Sequence, residues 1–234
     1  MTISMRSALH RLLQDLVLAI PRLSEMRLSV SRTAAFLRVW HYVSRAGVSG
    51  DYLEFGVWEG ASFSLALKAA AHFMDKRMPG APRFFAFDSF SGLPQPDPAR
   101  DAPVFRQGDY SATRRIFEQR IRGARRGWDV HIIPGRFEES LRPELFREHR
   151  LERAAFVTID CDLYAGALAA LRFVTPLLGT GTILYFDDWY FTSGDMTKGE
   201  AGACRTWLSE NPDLRFEDFG DVGIMGKLFI VTRC

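Results

Sequence analysis

The chain has 234 residues, with 47% hydrophobic and 25% charged side chains, which are the proportions of a globular protein with a full core. Its net charge of +2 excludes the strongly basic balance typical of nucleic-acid binders, so we expect no nucleic-acid partner. Three cysteines, Cys161, Cys204 and Cys234, show no CxxC spacing and predict neither a zinc site nor a disulfide framework. With no apolar run of transmembrane length, we expect a cytoplasmic protein with no membrane span.

Residues 1–48 are expected to form an N-terminal helical extension. Apolar spacing near three and four predicts helices over 5–20 and 32–46, divided by Pro21. The first 50 residues carry seven Arg against Asp15 and Glu25, a balance of +5 that leaves −3 for the remainder. We interpret this as a solvated basic helix face, with contact to an acidic partner or ligand as the alternative. The same helices are candidates for self-association into a homo-oligomer.

Residues 49–234 alternate between short β-rich runs and longer helical runs. The predicted strands are Tyr52–Phe55, Phe84–Phe87, Val130–Ile133, Phe156–Ile159 and Thr182–Phe186. Such alternation predicts an α/β fold with a parallel sheet and helices on both faces. After a helical run ending near Asn211, the segments "RFEDFG" and "KLFIVTRC" predict a C-terminal antiparallel hairpin. Five parallel strands plus a hairpin form the Rossmann-like sheet typical of class I methyltransferases.

The stretch "GDYLEFGVWEGASFSLALKAA" predicts a strand, a turn containing Gly56 and Gly60, and a helix. In a dinucleotide fingerprint the central turn position is glycine, and here it is Trp58, which disfavours NAD or FAD because a pyrophosphate needs close backbone approach. S-adenosylmethionine has no pyrophosphate and is less demanding. Glu54 could receive its ammonium group directly or through water, and Ser62 opens the helix beside it. The alternative is plain turn chemistry without a cofactor.

The segment "FFAFDSFSGLPQPD" places Asp88 at the end of the second strand. A carboxylate there can accept both hydroxyls of a ribose, and Ser89 beside it is a second candidate for cofactor binding. The alternative is an N-cap or Asx-turn aspartate.

Paired acids end the fourth and fifth strands, in "VTIDCDLY" and "LYFDDWY". If the strands are neighbours, Asp160, Asp162, Asp187 and Asp188 converge and repel one another, which a bound cation would relieve. Oxygen-only ligands predict Mg²⁺, with Mn²⁺ or Ca²⁺ possible, bound by three or four of these carboxylates. The alternative is that the acids cap loops or pair with basic residues elsewhere, namely Arg136, Arg205 or Lys198.

At this point the sequence resembles the macrocin O-methyltransferase (TylF) family of class I, S-adenosylmethionine-dependent enzymes, over roughly residues 50–234. The resemblance depends on the order and spacing of "YLEFGVWEGAS", "FAFDSFSGLPQPD", "PGRFEESL", "IDCDLYAGALAAL", "LGTGTILYFDDWY", "KGEAGACRTWL" and "GKLFIV". It implies methyl transfer to a hydroxyl, typically on a sugar of a natural product, with a divalent metal. By position it assigns the methionine end of the cofactor to Glu54, Gly56 and Gly60, the ribose to Asp88, the adenine to Phe137 and Glu138, and the metal to Asp160, Asp187 and Asp188.

One departure from the family concerns the general base, for which its sugar methyltransferases are thought to use a late histidine. The last histidine here is His149, before the acid motifs. Asp160 is the first candidate to accept the proton, and Asp162 and Lys198 are the others.

Two other functions stay open on the sequence. One is a metal-independent S-adenosylmethionine methyltransferase acting on a lipid, polyketide or protein hydroxyl. The other is a non-catalytic nucleotide-binding or interaction module, which the retained acid clusters disfavour.

Overall fold

The computed structural model describes residues 21–78 and 80–234. The helix predicted over residues 5–20 lies outside the described residues. The first described helix, α1, covers Pro21–Ala46, so the helix predicted over 32–46 extends back to Pro21. No helix in these two described ranges combines the length and apolarity needed to cross a bilayer.

Within residues 21–78 and 80–234, seven strands form one sheet. Their bounds are β1 Asp51–Phe55, β2 Phe84–Asp88, β3 Val130–Pro134, β4 Ala154–Ile159, β5 Ile183–Phe186, β6 Arg215–Val222 and β7 Gly226–Arg233. The spatial order is β3-β2-β1-β4-β5-β7-β6, in which β1 to β5 are parallel and β7 runs antiparallel to both β5 and β6. The predicted five-stranded parallel sheet, the C-terminal hairpin and the Rossmann-like fold class are therefore confirmed.

The helices that follow the strands cover the sheet. Their bounds are α2 Ala61–Phe73, α3 Arg114–Ile121, α4 Phe137–Ser140, α5 Glu144–Glu148, α6 Tyr164–Val174 and α7 Gly199–Glu210, with a 3₁₀ turn at Thr175–Leu177. Two large apolar clusters cover the two faces of the sheet, because successive side chains of a strand point to opposite faces, and a small third cluster in the described residues contains Ala102, Phe105 and Leu163. Tyr52 packs in the cluster with α1, α2 and α3, whereas Leu53 and Phe55 pack in the cluster with α6 and α7.

Helix α1 is part of the core, since Phe36 and Trp40 are fully buried. Both rings pack edge-on against Phe156 of β4, with centroids 5.3 and 6.0 Å away, and Phe36 also contacts Tyr185 of β5. This packing fixes the helix against the centre of the sheet and brings its residue Arg32 to the carboxyl end of β5.

The strand order reverses between β1 and β4, since β2 flanks β1 on one side and β4 flanks it on the other. In open α/β sheets, ligands bind at the carboxyl ends of the strands beside such a reversal. The functional site is therefore expected at the turns after β1, β2, β4 and β5.

Candidate functional site

Two neighbouring cavities open at these turns. The first cavity, of about 280 Å³, is lined by the turn after β1, the end of β2 and its loop, the start of α4, and the acids after β4 and β5. The second cavity, of about 580 Å³, lies between α1, the first turns of α2, the end of β5 and the β6–β7 turn. Five residues line both cavities and form their common wall: Arg32, Ala61, Ser62, Asp187 and Asp188.

The turn after β1 depends on its two glycines for different reasons. Gly56 has φ +84°, and a Cβ there would stand 1.7 Å from the carbonyl oxygen of Asp160, so only glycine allows the turns after β1 and β4 to approach this closely. Gly60 has φ +87°, and a Cβ there would meet the ring of Phe117 at 2.7 Å. Gly60 therefore serves the packing of α2 on α3, whereas Gly56 lines the first cavity.

Asp88 binds the turn after β1 from the neighbouring strand. Its Oδ2 accepts the backbone N–H groups of Val57 at 2.8 Å and Trp58 at 3.0 Å, and its Oδ1 accepts the N–H of Phe90 at 2.7 Å. The contact with the N–H of Phe90 forms an Asx-type turn, which is the alternative role that the sequence left open for Asp88. Asp88 and Ser89 also line the first cavity, so this carboxylate combines a turn contact with a place at the cavity wall.

Glu54 lies beneath the turn. It is fully buried, and its two carboxylate oxygens accept the hydroxyls of Ser62 and Tyr52, each at 2.5 Å. Burial raises the pKa of Glu54 to about 7, against the opposing effect of these hydrogen bonds. Glu54 therefore fixes the start of α2 from below, and Ser62, which donates to it, faces both cavities.

The four aspartates after β4 and β5 all line the first cavity. Burial, and then the charge of Asp187, raises the pKa of Asp160 well above its usual range. Burial also raises the pKa of Asp162 and Asp188, and a side-chain hydrogen bond joins the two carboxyls. The acids thus form one half-buried cluster whose mutual repulsion favours protons or a cation.

Arg32 of α1 supplies a positive charge to this cluster. Its Nη2 donates to both carboxylate oxygens of Asp187 at 2.6 Å, and the Tyr185 hydroxyl donates to Oδ1 of the same carboxylate. Burial acts to lower the pKa of Arg32, yet the pKa lies above its usual value because of Asp187 and the other nearby acids. The pair connects α1 to the end of β5.

Glu200 of α7 joins the two acid turns. It is fully buried, and its carboxylate oxygens accept the backbone N–H of Cys161 and of Asp188, each at 3.0 Å. Burial, and then the charge of Asp188, raises its pKa. Glu200 therefore holds the backbone of both turns and sets the spacing of the aspartates.

Most of the residues predicted for the site line the first cavity: Gly56, Ser62, Asp88, Ser89, Phe137, Glu138, Asp160, Asp162, Asp187 and Asp188. Of the remaining two, Glu54 lies beneath the turn, and Gly60 is the part of the turn that packs against Phe117 of α3. Residues that the sequence reasoning did not place in the cavity are Tyr110, Arg136 and Arg32. Of these, Arg32 had a partial signal in the excess of arginine in the first 50 residues, but nothing in that excess selects one residue.

The acid cluster has the oxygen-only chemistry that suits a hard divalent cation. In the described ranges, however, no group of three or more His, Cys, Asp or Glu side chains has the arrangement of a metal site. The carboxylate of Asp187 is bound to Arg32 and Tyr185. The four aspartates have the oxygen ligands and the negative charge that suit such a cation. In this structure Arg32 provides the positive charge beside Asp187.

Comparison with known families decides the class of protein. The model of the macrocin O-methyltransferase (TylF) family matches residues 6–200. The chain belongs to this family. It is accordingly an S-adenosylmethionine-dependent O-methyltransferase by family. No protein of curated function matches the chain.

Solved structures share the fold at low sequence identity. The calicheamicin methyltransferase CalS11 superposes with a TM-score of 0.71 at 20% identity, over 98% of this chain and 94% of that one. The O-methyltransferase NovP gives 0.65 at 19% identity, over 87% and 81%. An O-methyltransferase from Bacillus cereus, in complex with S-adenosylhomocysteine, gives 0.55 at 15% identity, over 96% and 97%.

Proposed function

We propose that this protein transfers the methyl group of S-adenosylmethionine to a hydroxyl of a sugar or glycosylated natural product, at an acid cluster that binds a divalent cation, with Mg²⁺ as the first candidate. The observation that carries the proposal is the common wall of the two cavities. A cofactor in the first cavity and an acceptor in the second would meet at Ser62, Asp187 and Asp188. One of the neighbours named above, CalS11, is a TDP-rhamnose 3'-O-methyltransferase.

The first cavity offers a place for each part of the cofactor. Gly56 and the backbone beside it would lie along the methionine end, with Ser62 at the start of α2. Asp88 would accept the ribose hydroxyls with the carboxylate lone pairs that the turn leaves free. Phe137 offers an apolar ring for the adenine, and Glu138 lies next to it. Glu54 is buried and bound to Ser62 and Tyr52, so its assigned role is to hold Ser62 in place, which differs from the ammonium contact that the sequence suggested.

The chain's own part in the reaction is to orient the acceptor and take its proton. S-adenosylmethionine supplies an activated methyl group when bound, and a divalent cation held by Asp160, Asp187 and Asp188 would lower the pKa of the acceptor hydroxyl. Asp160 is the first candidate for the proton acceptor, and Asp162 is the second. Burial raises the pKa of both carboxyls, that of Asp162 to about 9, so a bound cation would be needed to keep them ionised and able to accept the proton. Lys198 lies at the start of α7 with its ammonium 3.8 Å from Asp195, away from the cluster.

The first test is calorimetric titration of S-adenosylhomocysteine into metal-free protein, repeated with Mg²⁺ and with NAD as the control ligand. Micromolar binding of S-adenosylhomocysteine and no binding of NAD are expected. Asp160→Asn should bind S-adenosylhomocysteine normally and fail to turn over any acceptor that the wild-type enzyme methylates. Full activity in that variant would contradict the role of Asp160, and absence of cofactor binding in the wild-type protein would contradict the whole proposal.

A metal-independent methyltransferase is the second candidate, and one contact favours it. The Arg32–Asp187 pair already neutralises one carboxylate of the cluster. Turnover that persists after EDTA treatment would select this candidate.

A further inference from the structure

Arg32 and a divalent cation would need the same carboxylate. We propose that Arg32 is the resident counter-ion of Asp187 and that a divalent cation has to displace it, so that Arg32 sets how tightly the acid cluster binds metal. This inference rests on the proposed function, because it assumes that the cluster takes a cation.

The hydrogen bonds at Asp187 leave little room for a second cation. A carboxylate offers about four lone-pair positions. Arg32 occupies one position on each oxygen at 2.6 Å, and the Tyr185 hydroxyl occupies another on Oδ1. Counting the contacts made by the described residues, Oδ2 keeps one position, and a cation bound there would lie beside the guanidinium and be repelled by it. Metal binding at full strength therefore requires Arg32 to move.

Arg32 is placed so that it can move. The Arg32 side chain is 37% exposed to solvent, whereas the Asp187 side chain is 16% exposed. The guanidinium stands on the common wall, so rotation of the side chain would carry it into the open space of the second cavity, about 580 Å³. The carboxylate stays fixed at the end of β5, held by Tyr185. The mobile partner of the pair is thus the arginine.

The second cavity is also the space assigned to the acceptor. Its other walls are largely apolar, with Leu65, Phe191, Val222 and Ile224 among them. A displaced guanidinium would add hydrogen-bond donors to the second cavity. Metal binding would therefore also supply the acceptor cavity with groups that can bind hydroxyls.

The experiment measures Mn²⁺ binding to metal-stripped protein, by calorimetry and by the electron paramagnetic resonance signal of free Mn²⁺. The variants are Arg32→Gln, Arg32→Lys and the double variant Arg32→Gln/Asp187→Asn. The matched control is Arg38→Gln on the same helix, because the exposed Arg38 guanidinium lies 5.5 Å from the centre of the Phe219 ring. S-adenosylhomocysteine is titrated into each protein as a separate measure of cofactor binding.

We expect Arg32→Gln to bind Mn²⁺ about tenfold more tightly than the wild-type protein, since a charge that repels the cation is gone. Arg38→Gln should bind as the wild-type protein does, and the double variant should lose the gain. Arg32→Lys keeps the charge without the planar guanidinium and should gain less. If Arg32→Gln does not fold, a tighter affinity in Arg32→Lys carries the test.

Unchanged or weaker Mn²⁺ binding in folded Arg32→Gln would overturn the proposal. Absence of Mn²⁺ binding in the wild-type protein and in every variant would also overturn the proposal. If S-adenosylhomocysteine still bound in that case, Arg32 would be a permanent counter-ion in a metal-independent methyltransferase. Loss of S-adenosylhomocysteine binding in the wild-type protein would contradict the proposed function instead, and the Mn²⁺ comparison would still decide the role of Arg32.

Discussion

Asp88 and Trp58 are joined by a hydrogen bond in which the backbone N–H of Trp58 donates to Oδ2 of Asp88 at 3.0 Å. Trp58 stands at the position that is glycine in a dinucleotide fingerprint, and its φ of +41° lies in the left-handed region that favours glycine. The carboxylate from β2 therefore supports a turn that its own sequence would not favour. The conformation of the turn after β1 depends on a residue 30 positions further along the chain.

Asp88→Ala should weaken S-adenosylhomocysteine binding by about tenfold or more, since it removes the acceptor of the Val57 and Trp58 amides together with the proposed ribose contact. Calorimetry measures the change. Asp75→Ala is the matched control, because Asp75 makes the same Asx-type contact, with the N–H of Arg77 at 3.0 Å, on an exposed loop. Equal affinities in the two variants would contradict a role for Asp88 at the cofactor.

Gly56→Ala should destabilise the fold by several times more than an alanine at another left-handed glycine. A Cβ at Gly56 would stand 1.7 Å from the Asp160 carbonyl oxygen, which is backbone and cannot rotate away. At Gly47 and Gly108, also with positive φ, a Cβ would meet nothing within 4 Å, so Gly47→Ala and Gly108→Ala should cost only about 1 kcal/mol of conformational strain. Urea unfolding of the three variants gives the comparison, and similar losses at all three positions would show that β1 and β4 can separate without cost.

The sequence predicted the parallel strands because their side chains are apolar on both faces, and it predicted the acids at the carboxyl ends because Asp160 and Asp187 directly follow such runs. It could not predict the Arg32–Asp187 pair. The two residues are 155 positions apart, and helical spacing tells which face of α1 is buried without telling which strand end that face meets. The packing of Phe36 and Trp40 on the sheet decides this.

Burial was the second property that the sequence did not reveal. The position of Glu54 just before the glycine turn suggested contact with a ligand. In the structure its carboxylate is buried in the core and bound to Tyr52 and Ser62. Glu200 was visible in "KGEAGACRTWL" as an acid on a helix. Its role appears only when α7 packs on α6 and brings the carboxylate to two backbone amides.

Stability should fall as the pH rises through 7, in part because of Glu54. Its pKa is raised from 4.5 to about 7 in the folded protein, first by burial. A carboxyl whose pKa is higher in the folded protein stabilises the folded state fully when the pH is below its pKa in the unfolded chain. This contribution is lost as the pH rises through its pKa in the folded protein. For a fully buried group the loss is on the order of 3 kcal/mol or less between pH 4.5 and pH 8.

The measurement is urea unfolding at several pH values for the wild-type protein and Glu54→Gln. Other buried acids of the cluster act with the same sign, so the informative quantity is the difference between the two proteins. Glu54→Gln should lose less stability over this range, whereas Glu118→Gln, on the exposed face of α3, should follow the wild-type curve. A Glu54→Gln curve as steep as the wild-type curve would show that Glu54 does not titrate there.

Trp58→Gly should separate stability from ligand binding. Glycine relieves the left-handed strain at φ +41° but increases the freedom of the unfolded chain, so the free energy of unfolding should stay within about 1 kcal/mol of the wild-type value. The exposed Trp58 ring stands edge-on to Tyr110 with centroids 5.7 Å apart, and both rings line the first cavity. Removing the indole opens that wall.

S-adenosylhomocysteine should therefore bind Trp58→Gly about tenfold more weakly, as expected when a large apolar wall is lost at nearly constant stability. Tyr190→Ala is the control, since Tyr190 is also an exposed aromatic but lines neither cavity. Tyr110→Ala should weaken binding as well, and the double variant with Trp58→Gly should lose less than the two single effects combined, because the rings act as one wall. An unchanged affinity of Trp58→Gly for S-adenosylhomocysteine would mean that the indole contacts the acceptor or solvent and not the cofactor. The turn would then bind the cofactor through its backbone alone.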